Sequence, residues 1–110
     1  MSNELKFLKE GVKGKIFLGY ELVSVTNAAV FRLSPPANAQ SAELTIEDGG
    51  AADATLCVRY KYDSVAPTPS TGAFLGKGDT MEIMGQGNIA AIKLISVDAV
   101  TNKVHVNYFS

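Results

Sequence analysis

Two hydrophobic periods divide the chain. Over residues 1–12, Leu5, Leu8 and Val12 recur three and four apart beside Phe7, with Ser2 or Asn3 placed as an N-cap. That spacing predicts a short amphipathic helix, broken by Gly11 and Gly14. A helix of so few turns does not hold alone in water, so it needs a surface to dock on. It reads either as a capping helix or frayed terminus of its own domain, or as an arm that packs on another subunit. The expected organisation is an N-terminal arm or short helix over 1–14 and a β-sandwich domain over 15–110.

From Lys15 the apolar period changes to two. Lys15–Thr26 reads as one long strand, bent at Gly19, and Ala29–Leu33 as a second, stopped by Ser34-Pro35-Pro36 because proline removes a ladder donor. Ala42, Leu44 and Ile46 alternate with Glu43, Thr45 and Glu47, the pattern of a sheet with one wet face. Asp48-Gly49-Gly50 ends that strand. Thr55–Tyr62 follows, with Leu56, Val58, Tyr60 and Tyr62 on one face and Thr55, Cys57, Arg59 and Lys61 on the other. A loop is expected from Asp63 to Gly78, with a hairpin turn leading into the next strand. Then come Thr80–Met84, Ala90–Val97 and Lys103–Phe109, separated by Gly85-Gln86-Gly87-Asn88 and by Asp98–Asn102. Short strands with turn signals every 8–12 residues predict an all-β, antiparallel sandwich, jelly-roll or Ig-like, of about 7–8 strands. No helix-sized periodic segment separates the strands, so a parallel sheet with crossover helices is not expected.

Composition narrows the function classes. The 110 residues are 46% hydrophobic with a mean hydropathy of +0.11, enough apolar material for a core without metal or disulfide. Ten basic and eleven acidic side chains leave a net charge of −1. No concentration of positive charge exists to displace counterions from nucleic acid. No uninterrupted apolar run suggests a secretory leader or a membrane-spanning helix, so neither nucleic acid nor membrane is an expected partner. Charged residues reach only 19%, below the roughly 25% of ordinary soluble domains. Surface kept for protein neighbours would account for that.

Candidate chemistry is sparse. His105 is the single histidine, on the face opposite Val104, Val106 and Tyr108, and a catalytic triad needs a nucleophile and an acid within its reach. Cys57 is the single cysteine, so no intrachain disulfide forms and no four-ligand zinc site can be assembled. Arg59 and Lys61 share its predicted face, a faint sign of a lowered thiol pKa set against the commoner buried, inert cysteine. Gly72 to Gly78 echoes a phosphate loop but has three residues between the glycines flanking Phe74 and no Ser or Thr after Lys77. Glu43 and Glu47 line a wet strand face rather than forming a hydrolytic pair, and Asp48, Asp53, Asp63 and Asp79 occupy turns, where aspartate bonds its own backbone. No cofactor is expected, and an enzyme is the least favoured class.

The order of motifs after Asn38 carries a resemblance. An Arg-containing strand, Leu56-Cys-Val-Arg59-Tyr-Lys-Tyr62, precedes Ala66-Pro-Thr-Pro-Ser-Thr-Gly72. Leu75-Gly-Lys-Gly-Asp79, Ile92-Lys-Leu-Ile95 and the closing Val104-His-Val-Asn-Tyr108 follow. Residues 38–109, about two-thirds of the chain, resemble small β-sandwich structural proteins of tailed bacteriophages, which serve as head decoration or cement, head-fibre, collar or tail components. The resemblance implies a non-enzymatic virion protein, made in the bacterial host cytoplasm. Its implied partners are the major capsid protein or tail and collar subunits, and it implies a homo-oligomer, with a trimer as the expected state. Candidate interface residues are Leu5, Phe7, Leu8, Phe17 and Tyr20. The alternative is a carbohydrate- or ligand-binding module of a host-attachment structure, using a tyrosine-bearing face or the 63–78 loop.

Overall fold

A computed structural model describes residues 15–110; the arm expected over 1–14, and with it Leu5, Phe7 and Leu8, lies outside the described residues. The described chain forms β1 (Phe17–Val25), β2 (Phe31–Arg32), β3 (Ser41–Glu47), β4 (Val58–Lys61), β5 (Ala73–Leu75), β6 (Thr80–Met84), a helical turn α1 (Gln86–Ala91), β7 (Lys93–Ser96) and β8 (Asn102–Phe109). Two four-stranded antiparallel sheets result, in the orders β1-β8-β3-β6 and β2-β7-β4-β5. Every connection except β4–β5 passes from one sheet to the other. This is the jelly-roll arrangement of a β-sandwich, so the Ig-like variant of the expectation does not apply.

The alternation written into the strands decides which faces meet. Val23 and Val25 of β1, Ala42, Leu44 and Ile46 of β3, Ile83 of β6, and Val104, Val106 and Tyr108 of β8 point into the sandwich. Val58, Leu75 and Leu94 come from the second sheet to meet them. A buried polar tie joins the layers at one end. Asn102 Nδ2 donates to the Cys57 carbonyl and to Ser96 Oγ, both at 3.0 Å, its Oδ1 accepts from Gly49 N at 2.8 Å, and Ser96 Oγ donates to the Val25 carbonyl at 2.6 Å.

Several expectations are corrected. Gly85 to Ala91 is not a turn running into a strand. Ile89 of α1 and Ile92 just after it are buried, with Gly85 at φ +95° before the helix and Asn88 Nδ2 donating to the Met84 carbonyl at 2.9 Å. A helix this short leaves no period to read. The 63–78 loop contains β5, three residues paired with β4. The Gly76–Asp79 turn does form, with Asp79 N donating to the Gly76 carbonyl at 3.0 Å, but it passes the chain from β5 to β6 in the opposite sheet and makes no hairpin. The strand expected over Thr55–Tyr62 begins only at Val58, because Asp53 Oδ1 captures the amide and hydroxyl of Thr55 and turns the chain. The register shift between Phe17 and Gly19 agrees with the bend expected at Gly19. Lys61 and Lys93 lie on β4 and β7, the two central strands of the second sheet.

Candidate functional site

The two outer faces of the sandwich differ. On the second sheet, Arg59 points outward from β4 and donates through Nε to the Pro69 carbonyl at 3.1 Å and through Nη1 to the Gly72 carbonyl at 2.6 Å. Its guanidinium also stacks over Phe74, 5.6 Å from the ring centre. Lys93, only 9% exposed, donates through Nζ to the Asp63 carbonyl at 2.5 Å. These two cations fasten the 63–72 loop over the sheet, where the outward-facing Lys93 and Ile95 of β7 are buried as well as the inward-facing Leu94 and Ser96. The arginine that marks the strand in the sequence is thus a clamp for a loop, and Pro67 is buried beneath it.

The first sheet has no such cover among the described residues. Its register stacks outward side chains in rows: Phe17, Phe109, Ser41 and Met84; then Tyr20, Asn107, Glu43 and Glu82; then Leu22, His105, Thr45 and Thr80; then Ser24, Lys103 and Glu47. Phe17 is 57% exposed, Tyr20 54%, Leu22 45% and Met84 56%. Phe17 and Phe109 meet edge to face at 6.0 Å. The apolar groups run down β1 and across the Phe17 end, and Glu43, Glu47 and Glu82 occupy the β3–β6 side. Phe17 and Tyr20, two of the expected interface residues, therefore share one open face. Leu22, Met84 and Phe109 join them, and only strand order could bring these together.

On this face His105 acquires partners the sequence could not supply. Its Nε2 donates to Glu47 Oε1 at 2.8 Å, and its Nδ1 lies 2.5 Å from the Tyr20 hydroxyl. An ionised carboxylate only accepts, so Nε2 carries a proton, and in the neutral imidazole Nδ1 then accepts from the Tyr20 hydroxyl. The hydrogen bond from His105 holds the Glu47 carboxyl below the usual carboxylate range. Hydroxyl, imidazole and carboxylate stand in series, yet the site is a flat sheet surface. Among the described residues, the backbone amides of β8 and β3 beside it are committed to ladders on both sides, so they are not free to serve a developing oxyanion. The arrangement ties three strands together.

The other candidates resolve into structural roles. Cys57 is fully buried, its thiol donating to the Ala54 carbonyl at 3.4 Å, and burial pushes its pKa up to about 11. It directly precedes β4 and packs in the core cluster, whereas Arg59 points outward and Lys61 stays partly exposed, which corrects the expected shared face. Asp48, Asp53, Asp63 and Asp79 each accept from a backbone amide two or three residues away, and no group of three potential metal ligands occurs among the described residues. A shallow apolar cleft of about 380 Å³ lies between Pro35–Ala39 and α1, lined by Gln86, Gly87, Ile89 and Ala90, with no titratable side chain in its wall. No helix of the described residues is long and apolar enough to cross a membrane. No protein-family model matches the chain, and no curated protein matches it.

Proposed function

We propose that this chain is a non-catalytic structural subunit that binds other protein subunits through the outer face of the β1-β8-β3-β6 sheet. The observation that carries this reading is the contrast between the two outer faces. One is roofed by its own loop through Arg59 and Lys93, and the other presents Phe17, Tyr20, Leu22 and Met84 to solvent. A continuous apolar patch with a polar rim marks an interaction surface. The β1 edge beside it runs nine residues without a lysine or proline to discourage pairing.

The setting we propose is a tailed-phage virion, with the chain as a capsid decoration or cement protein on the head shell or as another virion subunit. Support comes from the resemblance of residues 38–109 to such proteins. Jelly rolls build both capsid and lectin domains, so the fold alone assigns neither. A saccharide-binding module is the second reading, favoured by one observation: Tyr20 stands half-exposed on the same face.

The test compares the wild type with a Tyr20→Ser, Leu22→Ser double variant by light scattering at micromolar concentration and by co-sedimentation with phage heads. Association by the wild type that the folded variant loses is the expected result. A wild-type chain that stays monomeric and leaves the heads unbound overturns the proposal. Saccharide binding without subunit association replaces it with the second reading.

A further inference from the structure

The edges of the two sheets are not alike. β2 and β5 are edge strands of two and three residues, too short to recruit a neighbour. The β6 edge is occupied: Asn88 Nδ2 takes the Met84 carbonyl at 2.9 Å, and Lys15 bonds Glu82. β1 is the long edge, nine residues with no lysine or proline. Among the described residues no strand lies on its far side.

The phase of the ladders shows which groups that edge presents. Ile46 N donates to the Asp79 carbonyl and Gly85 N to the Gln40 carbonyl, so the even-numbered residues of β3 bond β6. Bonding direction alternates along a strand, so Glu43, Thr45 and Glu47 bond β8 at Asn107, His105 and Lys103. Val104 and Val106 of β8 then bond Val23 and Glu21 of β1. Tyr20, Leu22 and Ser24 are left with amides and carbonyls directed away from the sheet, and no turn or loop backbone of the described residues takes them. The register shift between Phe17 and Gly19 ends the regular row. Such a row of alternating donors and acceptors is paired by another extended strand.

We infer that β1 pairs antiparallel with β1 of a second copy about a two-fold axis at Leu22, joining their two β1-β8-β3-β6 sheets into one. In that register Leu22 faces Leu22 of the second copy, Tyr20 faces its Ser24, and Glu21 faces its Val23. Each pair with outward groups exchanges both its hydrogen bonds, and the contact is self-complementary, as a two-fold interface must be. Neighbouring registers are poorer. An axis at Glu21 sets two carboxylates opposite one another, which destabilises a sheet. An axis at Tyr20 runs into the irregularity at Phe17–Gly19. An axis at Val23 sets Tyr20 against Thr26, whose carbonyl already accepts from Ser96 N. At Leu22 the outward Tyr20 and Leu22 columns of both copies lie side by side, so the pairing widens the open face and leaves it free. The inference goes beyond the docking role proposed for that face and does not depend on it.

Single cysteines in the full chain test the register, since the Cys57 thiol is buried. In Leu22→Cys the two introduced thiols flank the axis with Cα atoms about 5.5 Å apart, within disulfide range, and mild oxidation should give a covalent dimer. Tyr20→Cys or Ser24→Cys alone should give none, because each position lies about 14 Å from its own copy; an equimolar mixture of the two should link. Light scattering of the wild type at micromolar concentration should give the mass of two chains. Ser24→Pro removes an amide that its own sheet does not use, a place where edge strands accept proline. It should raise the dimer dissociation constant about tenfold or more. No link in Leu22→Cys, equal linking at all three positions, a mass of three chains, or an unchanged constant in folded Ser24→Pro overturns the inference. So does a Leu22→Cys link without the mixed Tyr20→Cys and Ser24→Cys link, which would mark face-to-face association instead. Head binding by the Ser24→Pro chain is a separate readout, so edge pairing can fail while the docking proposal stands, and the reverse.

Discussion

At Gly49, space rather than backbone angle excludes a side chain. A Cβ there would lie 1.7 Å from the Thr101 carbonyl oxygen, a backbone atom that cannot swing aside. Its amide also supplies one arm of the Asn102 tie, donating to Oδ1 at 2.8 Å. Gly49→Ala should therefore cost about 2–3 kcal/mol, in the range of overpacked interiors, as read from urea denaturation midpoints. The neighbouring Gly50 has φ +107° with open space around it, so its requirement is conformational. The same dipeptide that reads as a generic turn signal contains two glycines kept for different reasons.

At the level of elements, the Asn102–Ser96 connection joins strands that do not otherwise pair. Asn102 belongs to β8 of the first sheet and Ser96 to β7 of the second, and both side chains are fully buried. Asn102→Leu would strip the Gly49 amide and the Ser96 hydroxyl of their Asn102 partner, while the Cys57 carbonyl keeps the Val97 amide at 3.0 Å. Losing such a partner costs about 1–3 kcal/mol, so the variant should lose about 1–2 kcal/mol. Combining it with Ser96→Ala should give less than the sum of the single effects, since the two share one network. Additive losses in a double-mutant cycle would show that the tie does not act as a unit. The Arg59 clamp differs in kind, because its acceptors are loop carbonyls near the surface and its role is to keep one outer face covered.

For the molecule as a whole, the ionised side chains make its stability depend on acid. Hydrogen bonds lower the carboxyl pKa values of Glu47, from His105, of Asp48, from the Ala51 and Gly50 amides, and of Asp53, from Thr55. A carboxylate whose pKa is lower folded than unfolded adds stability that is fully present above the unfolded value, about 4. That contribution disappears as the pH falls through the lower folded value. The denaturation midpoint should hold from neutral pH down to about 5 and then fall as acid is added. Glu47→Gln should flatten part of that fall, and an unchanged acid limb would remove the His105–Glu47 bond from the account.

Much of the sandwich is legible from period two alone. Ala42–Ile46 and Val104–Tyr108 declare their inner faces residue by residue, because alternate side chains on a strand must point to opposite sides. The turn aspartates and the buried cysteine are likewise expectations of local chemistry. Residue order by itself determined that this is an all-β chain with a wet outer face carrying Glu43 and Glu47. It did not determine β5 or α1, each too short to establish a period before tertiary contacts hold it. Nor could it pair strands: linking Tyr20, His105 and Glu47 in one hydrogen-bonded chain, or Phe17 beside Phe109, requires β8 to lie between β1 and β3. Only the tertiary structure decided that one outer face is roofed and the other, among the described residues, uncovered, since Arg59 and Lys93 find carbonyl partners in a loop whose path the strands beneath it set.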